Sequence, residues 1–232
     1  MSDARSSILR RVRASLERED RDASSQSIRD ALQRRLSSPP VAVRPTMPEK
    51  DIVQRFVTKL EAVAGKVVRV PDIDAVPSAI LQHLDRHRLP YRLVATRDPV
   101  LEDIPWPKTE EIILHYRAAI RTDRASLTGA FSAVAETGTL VLVSGKETPT
   151  TLNFLPEDHI VVLFENRIVP YLEDVWKKIR ATFTTPPRAI NLITGPSRTA
   201  DIQQTMQLGA HGPRRLTVIL ARSGKSADCV ID

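Results

Sequence analysis

Residues 49–70 read EKDIVQRFVTKLEAVAGKVVRV, and the two periods in this stretch decide the fold. Ile52, Val53, Phe56, Val57, Leu60 and Val63 recur at helical spacing, Gly65 closes the run as a C-terminal cap, and Lys66 to Val70 continues as a short β-branched strand. The alternation persists downstream. A helix from about Val76 to Arg88 leads through Pro90 into a strand at Arg92 to Ala95, and the clearest late helix covers Tyr171 to Thr182. Further strands are expected at Ile112 to His115, Thr139 to Ser144, Ile160 to Phe164, Ile190 to Thr194 and Leu216 to Leu220. Strands this short and apolar, separated by helices, are buried on both faces. The expected fold is α/β, a mostly parallel sheet covered by helices on both faces. In such sheets ligands bind outside the carboxyl ends of the strands.

Upstream of residue 49 the pattern differs. The first 36 residues read as two polar helices in which Ile8, Leu9, Val12 and Leu16 make a narrow apolar stripe, with Arg5, Arg10, Arg11 and Arg13 mostly away from it. Such a stripe can dock on another surface but cannot form a core alone. Ser37 to Pro48 (SSPPVAVRPTMP) carries four prolines in twelve positions and reads as an extended linker. The expected organisation is a basic helical arm and Pro-rich linker over 1–48 and one α/β domain over 49–232. An Arg- and Ser-rich start also suits a transit peptide, but Asp3, Glu17, Glu19, Asp20 and Asp22 oppose that reading.

The 232 residues are 41% hydrophobic, enough for one sizeable core. A net charge of +6 points at first to a polyanion partner, yet 11 of the 34 Lys+Arg and 7 of the 28 Asp+Glu fall in the first 50 residues, leaving the body at only +2. A regulatory or nucleic-acid-binding role then rests on the arm alone, and an aromatic content of 4% offers no base-stacking platform. The single cysteine, Cys229, allows no disulfide within the chain and no Cys-built zinc or iron–sulfur site, and it fits a reducing cytoplasm. No apolar run approaches the ~18 residues that span a bilayer.

Four segments can carry chemistry. Ala135-Glu136-Thr137-Gly138-Thr139 runs straight into a strand. It is either a tight turn presenting a carboxylate and two hydroxyls to a polar ligand, or a helix end capped by Gly138 with Thr139 opening the strand. Ile193 to Asp201 (ITGPSRTAD) reads as a strand, a turn at Gly195-Pro196 and a short helix capped by Ser197 or Thr199. The amide end of that helix and the fork of Arg198 would attract an anion, while Asp201 either lies beside it or only complements the helix dipole. In Leu208 to Pro213 (LGAHGP), His211 lies in a turn between Gly209 and Gly212, able to shuttle a proton or bond a carboxylate, or serving the turn alone. In Thr151 to His159 (TLNFLPEDH), Asn153 is the polar residue expected to point inward among core-packing Leu152, Phe154 and Leu155. His83, His87, His115 and His159 make no metal-ligand spacing with His211. The sequence contains no GxGxxG, Walker A, HExxH or GxSxG motif.

Taken together, AETGT (135–139), NFLPEDHI (153–160) and TGPSRTADIQQTMQLGAHGPRRL (194–216) resemble the LUD domain of LutC-type lactate-utilisation proteins, over roughly residues 49 to 221. The stretch DIVQRFVTKLEAVAGKVVRV resembles the start of that domain. The resemblance implies a fold related to ribose-phosphate isomerases, glucosamine-phosphate deaminases and CoA-transferases. It also implies a part in the oxidation of L-lactate to pyruvate beside iron–sulfur partner proteins, with this chain an accessory subunit holding no cofactor of its own. Glu136 resembles the nucleophilic glutamate of CoA-transferases. On this expectation a small carboxylate or anion site lies at the strand carboxyl ends, with Glu136 and His211 as reacting groups. Thr137, Gly138, Thr139, Asn153, Gly195, Ser197, Arg198, Thr199, Asp201 and Gly212 surround the ligand. The alternatives are a free-standing enzyme of CoA-transferase or sugar-phosphate isomerase type using Glu136, and the regulatory or nucleic-acid-binding protein already described.

Overall fold

The computed structural model describes residues 2–15, 21–37, 46–106, 112–202, 205–209 and 211–222, so Leu16 and Cys229 lie outside the described residues. Two compact units emerge, Met1–Thr46 and Met47–Asp232. The first holds α1 (Ser2–Ser15) and α2 (Arg21–Ser37), and along α1 the side chains of Ile8, Leu9 and Val12 are exposed. Among the described residues no helix is long and apolar enough to cross a membrane.

The second unit begins with α3 (Glu49–Ala62), β1 (Lys66–Val70), α4 (Val76–Arg86), β2 (Arg92–Ala95), the single turn α5 (Pro99–Glu102) and β3 (Ile113–Tyr116). It continues through β4 (Ala125–Gly129), β5 (Ser132–Val134), β6 (Thr139–Val143), β7 (Asp158–Phe164), β8 (Ile168–Val169) and α6 (Leu172–Thr182). β9 (Ile190–Ile193), β10 (Arg198–Ile202), β11 (Thr205–Leu208) and β12 (Arg215–Ala221) complete it.

Six strands form the central sheet in the order β1-β12-β7-β4-β2-β3, each neighbouring pair parallel. Alternate side chains go to opposite faces. One face packs on α4 and α5 through Ile80, Leu84, Leu93, Val100, Ile160 and Ile219. The other is covered by α3 and by a second sheet, β8-β5-β6-β9, through Phe56, Leu60, Leu140, Val161 and Val218. On the far side of that second sheet, Val175 and Ile179 of α6 meet Val134 and Val141. The expected α/β architecture with a mostly parallel sheet is therefore present, and the second sheet is the addition. β4 escapes the apolar-strand pattern because two of its five residues are polar and satisfied at long range: Ser126 Oγ donates to the Leu152 carbonyl (2.7 Å) and Thr128 Oγ1 lies 2.8 Å from His159 Nε2.

The end of α3 departs from the sequence expectation. Val63 is the cap and Ala64 takes the left-handed conformation (φ 64°), so that the amides of Ala64 and Gly65 donate back to the carbonyls of Glu61 and Leu60. Gly65 serves close approach instead, since a Cβ there would stand 2.6 Å from Leu60 Cγ. Two other turns press on this same helix end. Gly138 (φ 70°) lies in the hairpin turn joining β5 to β6, its amide donating to the Val134 carbonyl (3.0 Å), and a Cβ on it would meet Leu60 N at 2.5 Å. Gly195 (φ 82°) follows β9, and a Cβ on it would meet the Val63 carbonyl oxygen at 2.6 Å. The 135–139 segment is thus a tight hairpin turn closed by an i+4 to i hydrogen bond, with Thr139 opening β6, and Gly138 caps no helix.

The helix expected after Gly195-Pro196 is a strand. Arg198–Ile202 pairs antiparallel with Thr205–Leu208, with Arg198 opposite Leu208 and Thr199 opposite Gln207. Thr199, Ile202 and Thr205 are β-branched and favour this outcome. The base of the hairpin is fixed by two amide bonds, Ser197 N–H to the Pro213 carbonyl and Gly209 N–H to the Ser197 carbonyl, both 2.9 Å. An anion site resting on a helix amino terminus at Ser197 or Thr199 accordingly loses its basis.

Replacing Gly138 by Ala forces a Cβ into the α3 backbone at positive φ and should lower stability by about 2–4 kcal/mol, a fall in Tm of roughly 4–16 °C. Ala64→Gly, which relieves a left-handed alanine, should be neutral or stabilising by up to about 1 kcal/mol. Scanning calorimetry of the two variants checks both.

Candidate functional site

At the carboxyl ends of β2 and β4, the described residues pack closely on one another. After β2, Asp98 Oδ1 accepts the Val100 amide (2.8 Å) and caps α5, and a Cβ on Gly129, the last residue of β4, would stand 2.7 Å from that same oxygen. Burial raises the Asp98 carboxyl above its ordinary range, against the pull of the Val100 amide. Arg167 Nη1 covers the Ala130 carbonyl (3.1 Å).

Five of the expected site residues converge at the other end, while Glu136, Thr137, Gly138, Thr139 and Arg198 lie outside the cavity lining. A cavity of about 250 Å³ lies against the amino-terminal ends of β7 and β12, whose second residues, His159 and Leu216, form part of its wall. Asn153, Gly195, Ser197, His211 and Gly212 all line it, as do Phe154, Leu192, Ile193 and Thr194. The central-sheet strands β7 and β12 thus meet this cavity with their amino ends, whereas β9 of the second sheet reaches it with its carboxyl end.

Each polar wall residue is held by local structure. Asn153 ends a 3₁₀ turn, Thr150–Asn153, which is pinned by Ser126 Oγ on the Leu152 carbonyl and by the Ala119 amide on Thr151 Oγ1 (3.0 Å). Ser197 and the 211–213 turn are stacked, with a Cβ on Gly212 only 3.1 Å from Ser197 Cβ and the Ser197 amide bonded to the Pro213 carbonyl. Thr194 is reached from the 135–139 turn by a chain of hydroxyls, Thr137 to Thr139 and Thr139 to Thr194, each step 2.7 Å. Hydroxyls so linked polarise one another.

His159, which metal-ligand spacing does not single out, also belongs to the wall. Its ring is 1% exposed, Nε2 meets Thr128 Oγ1, and buried Nδ1 has no partner among the described residues. Burial pulls this imidazole down to about 3, so the ring is neutral near pH 7 and carries one donor and one acceptor nitrogen. Its place in NFLPEDHI, just inside a strand, was the available signal.

On the opposite face of the sheet, Asp158 ties the strand starts together. Arg215 Nε (2.6 Å) and Nη2 (2.5 Å) fork onto its two carboxylate oxygens, and His83 Nε2 on α4 lies 3.2 Å from Oδ1. Burial alone would raise this carboxyl, but the hydrogen bonds of His83 and Arg215 outweigh it and hold it below the usual carboxylate range. Asp158 and Arg215 are register partners and the immediate neighbours of His159 and Leu216, so this ion pair fixes the floor of the cavity.

Glu136 and Arg198 do not line the cavity. Glu136 is half-buried in the hairpin turn, its amide donating to the Pro170 carbonyl (3.1 Å), and Arg198 is exposed at the start of β10. Thr199 and Asp201 belong to β10, and their side chains lie outside the described residues. The wall therefore offers amide, hydroxyl and imidazole groups beside the aliphatic surface of Leu192, Ile193 and Leu216, a combination suited to a small molecule with one polar and one apolar end.

Comparison with known proteins agrees with the architecture. Residues 53–221 match the model of the LUD domain family. An uncharacterised protein of Neisseria meningitidis serogroup B is 37% identical over 95 residues, 41% of each chain. Lactate utilization protein C of Bacillus subtilis is 35% identical over 105 residues, 43% of this chain and 44% of that one. The protein of the same name from Exiguobacterium sp. is 30% identical over 133 residues, 56% of this chain and 57% of that one. The matches thus span about half the length of these curated relatives. The crystal structure of a DUF162 family protein from Deinococcus radiodurans superposes with a TM-score of 0.53 at 23% identity, covering 76% of this chain and 99% of the other, and shows the same fold.

The buried neutral imidazole carries a pH signature. Its folded pKa lies below the unfolded value of 6.5, so its contribution is complete above pH 6.5 and is lost as pH falls toward about 3. Urea unfolding should show stability falling through that window with a component of up to about 1.4 kcal/mol per pH unit. His159→Gln should remove this component, whereas the Asp158 carboxylate acts only below about pH 4.

Proposed function

Because the chain belongs to the LUD domain family, we propose that it takes part in L-lactate utilisation and that the cavity at the amino-terminal ends of β7 and β12 holds a small 2-hydroxy or 2-oxo carboxylate. The observation that carries this reading is the meeting of Asn153, Ser197 and His211 on one small cavity with an aliphatic side, backed by the buried ring of His159. Amide, hydroxyl and imidazole donors suit a carboxylate and the neighbouring hydroxyl or keto oxygen, and Leu192, Ile193 and Leu216 suit the methyl group. Relatives named lactate utilization protein C support the choice of lactate among such acids.

Conversion of lactate to pyruvate releases two electrons and two protons. On this reading the electrons pass to iron–sulfur partner proteins, as the resemblance to LutC-type proteins implies, and this chain, whose single cysteine cannot ligate a cluster by itself, acts as the accessory, ligand-holding subunit. The hydroxyl chain from Thr137 to Thr194 supports the cavity wall from the turn that also carries Glu136.

L-lactate or pyruvate at ten to a hundred times its Kd should stabilise the protein by about 1.4–2.7 kcal/mol, read as a rise in Tm. Asn153→Leu should abolish the rise and Arg198→Ala should leave it intact. Equal shifts in wild type and the Asn153 variant, or no shift at all, would sink the assignment.

A further inference from the structure

A second cavity, of about 290 Å³, opens at the amino-terminal ends of β2 and β4. Its floor is apolar and buried, formed by Leu93, Val94 and Ala125. Its polar rim holds three guanidinium groups, Arg92, Arg117 and Arg124, with His115 and Thr122, against one carboxylate, Asp123.

The ion pairing around the rim is uneven. Arg117 forks onto Asp123 with two 2.7 Å bonds, and Asp123 also accepts the Ile120 amide (2.7 Å). That hydrogen bonding, led by Arg117, holds the Asp123 carboxyl below its usual range. The one acidic group of the rim is thereby committed, and the 117–123 loop is fixed in place. Arg124 reaches outward to Glu157 (3.0 Å), in a pair whose side chains are more than half exposed and which water screens. The guanidinium of Arg92 makes no hydrogen bond or ion pair with any described residue.

With Arg117 matched by Asp123 and Arg124 by Glu157, the guanidinium of Arg92 is the cation of this apolar-floored rim that no described carboxylate offsets. A solvated surface arginine would account for Arg92 alone, but not for a preset Arg117 and an outward-held Arg124 around the same hollow. We propose that this cavity binds the phosphate group of a small phosphomonoester, with Arg92 as its principal ligand and Arg117, Arg124 and Thr122 beside it. Guanidinium forks match the oxygens of a phosphate, and the volume, at the low end for ligand sites, leaves room for a small organic body over Leu93 and Val94. The site is separate from the carboxylate cavity and does not depend on it.

Isothermal titration of the full chain with glycerol 3-phosphate, inorganic phosphate and succinate tests the proposal. Glycerol 3-phosphate should bind, inorganic phosphate more weakly, and succinate more weakly than either. Arg92→Gln, a change at an exposed side chain, should weaken glycerol 3-phosphate binding roughly tenfold or more, and Asn153→Leu should leave it unchanged. Undiminished binding by Arg92→Gln, or no binding of either phosphate, would overturn the site. Succinate binding as tightly as glycerol 3-phosphate would overturn the phosphate assignment, and loss of binding only in Asn153→Leu would move the ligand to the first cavity.

Discussion

The last turn of α3 is packed so closely by neighbouring turns that side chains beyond hydrogen are excluded at the points of contact. Gly138 approaches the Leu60 amide and Gly195 the Val63 carbonyl, both at positive φ, from segments 57 residues apart in sequence. Close packing of this kind transmits position, because the interior gives little before it resists. Through Gly138 it places Thr137 and Thr139, and through Gly195 it places Thr194 and Ser197, so the hydroxyl chain and one wall of the cavity are set by the same helix end.

The opposite wall is set by the central sheet. Asp158 and Arg215, paired in register at the starts of β7 and β12, bond on one face with His83 of α4, and their neighbours His159 and Leu216 bear on the cavity from the other. Beyond the carboxyl end of β4 the packing is tight for a topological reason. β4 passes into β5 of the second sheet through only Ala130 and Phe131, so no crossover loop opens a crevice there, and the Asp98 turn fills the space beside Gly129. The usual rule that ligands sit beyond the carboxyl ends applies to strands followed by helical crossovers, which β4 is not.

Periodicity made the apolar elements legible. α3, α4 and α6, and the strands β1, β2, β7, β9 and β12, follow from runs of aliphatic residues whose burial decides their structure. β4 was hidden because Ser126 and Thr128 are satisfied by Leu152 and His159, 26 and 31 residues away, and nothing local announces such partners. The β10–β11 hairpin was hidden by a Gly-Pro-Ser sequence that reads equally well as a helix cap. For the site, turn chemistry identified Asn153, Gly195, Ser197, His211 and Gly212 as candidates, while their meeting is a tertiary fact. Glu136 and Thr137 are adjacent in sequence, and it is Thr137 whose hydroxyl leads to the cavity wall through Thr139 and Thr194.

The placement of the ligand site at the amino-terminal ends of β7 and β12 is tested most directly by titrating ¹⁵N-labelled protein with L-lactate and following the amide resonances. The largest shifts are expected at Asn153, Thr194, Ser197 and Gly212, saturating together. Shifts centred instead on Asp98, Gly129 and Ala130, at the carboxyl ends of β2 and β4, would contradict the account.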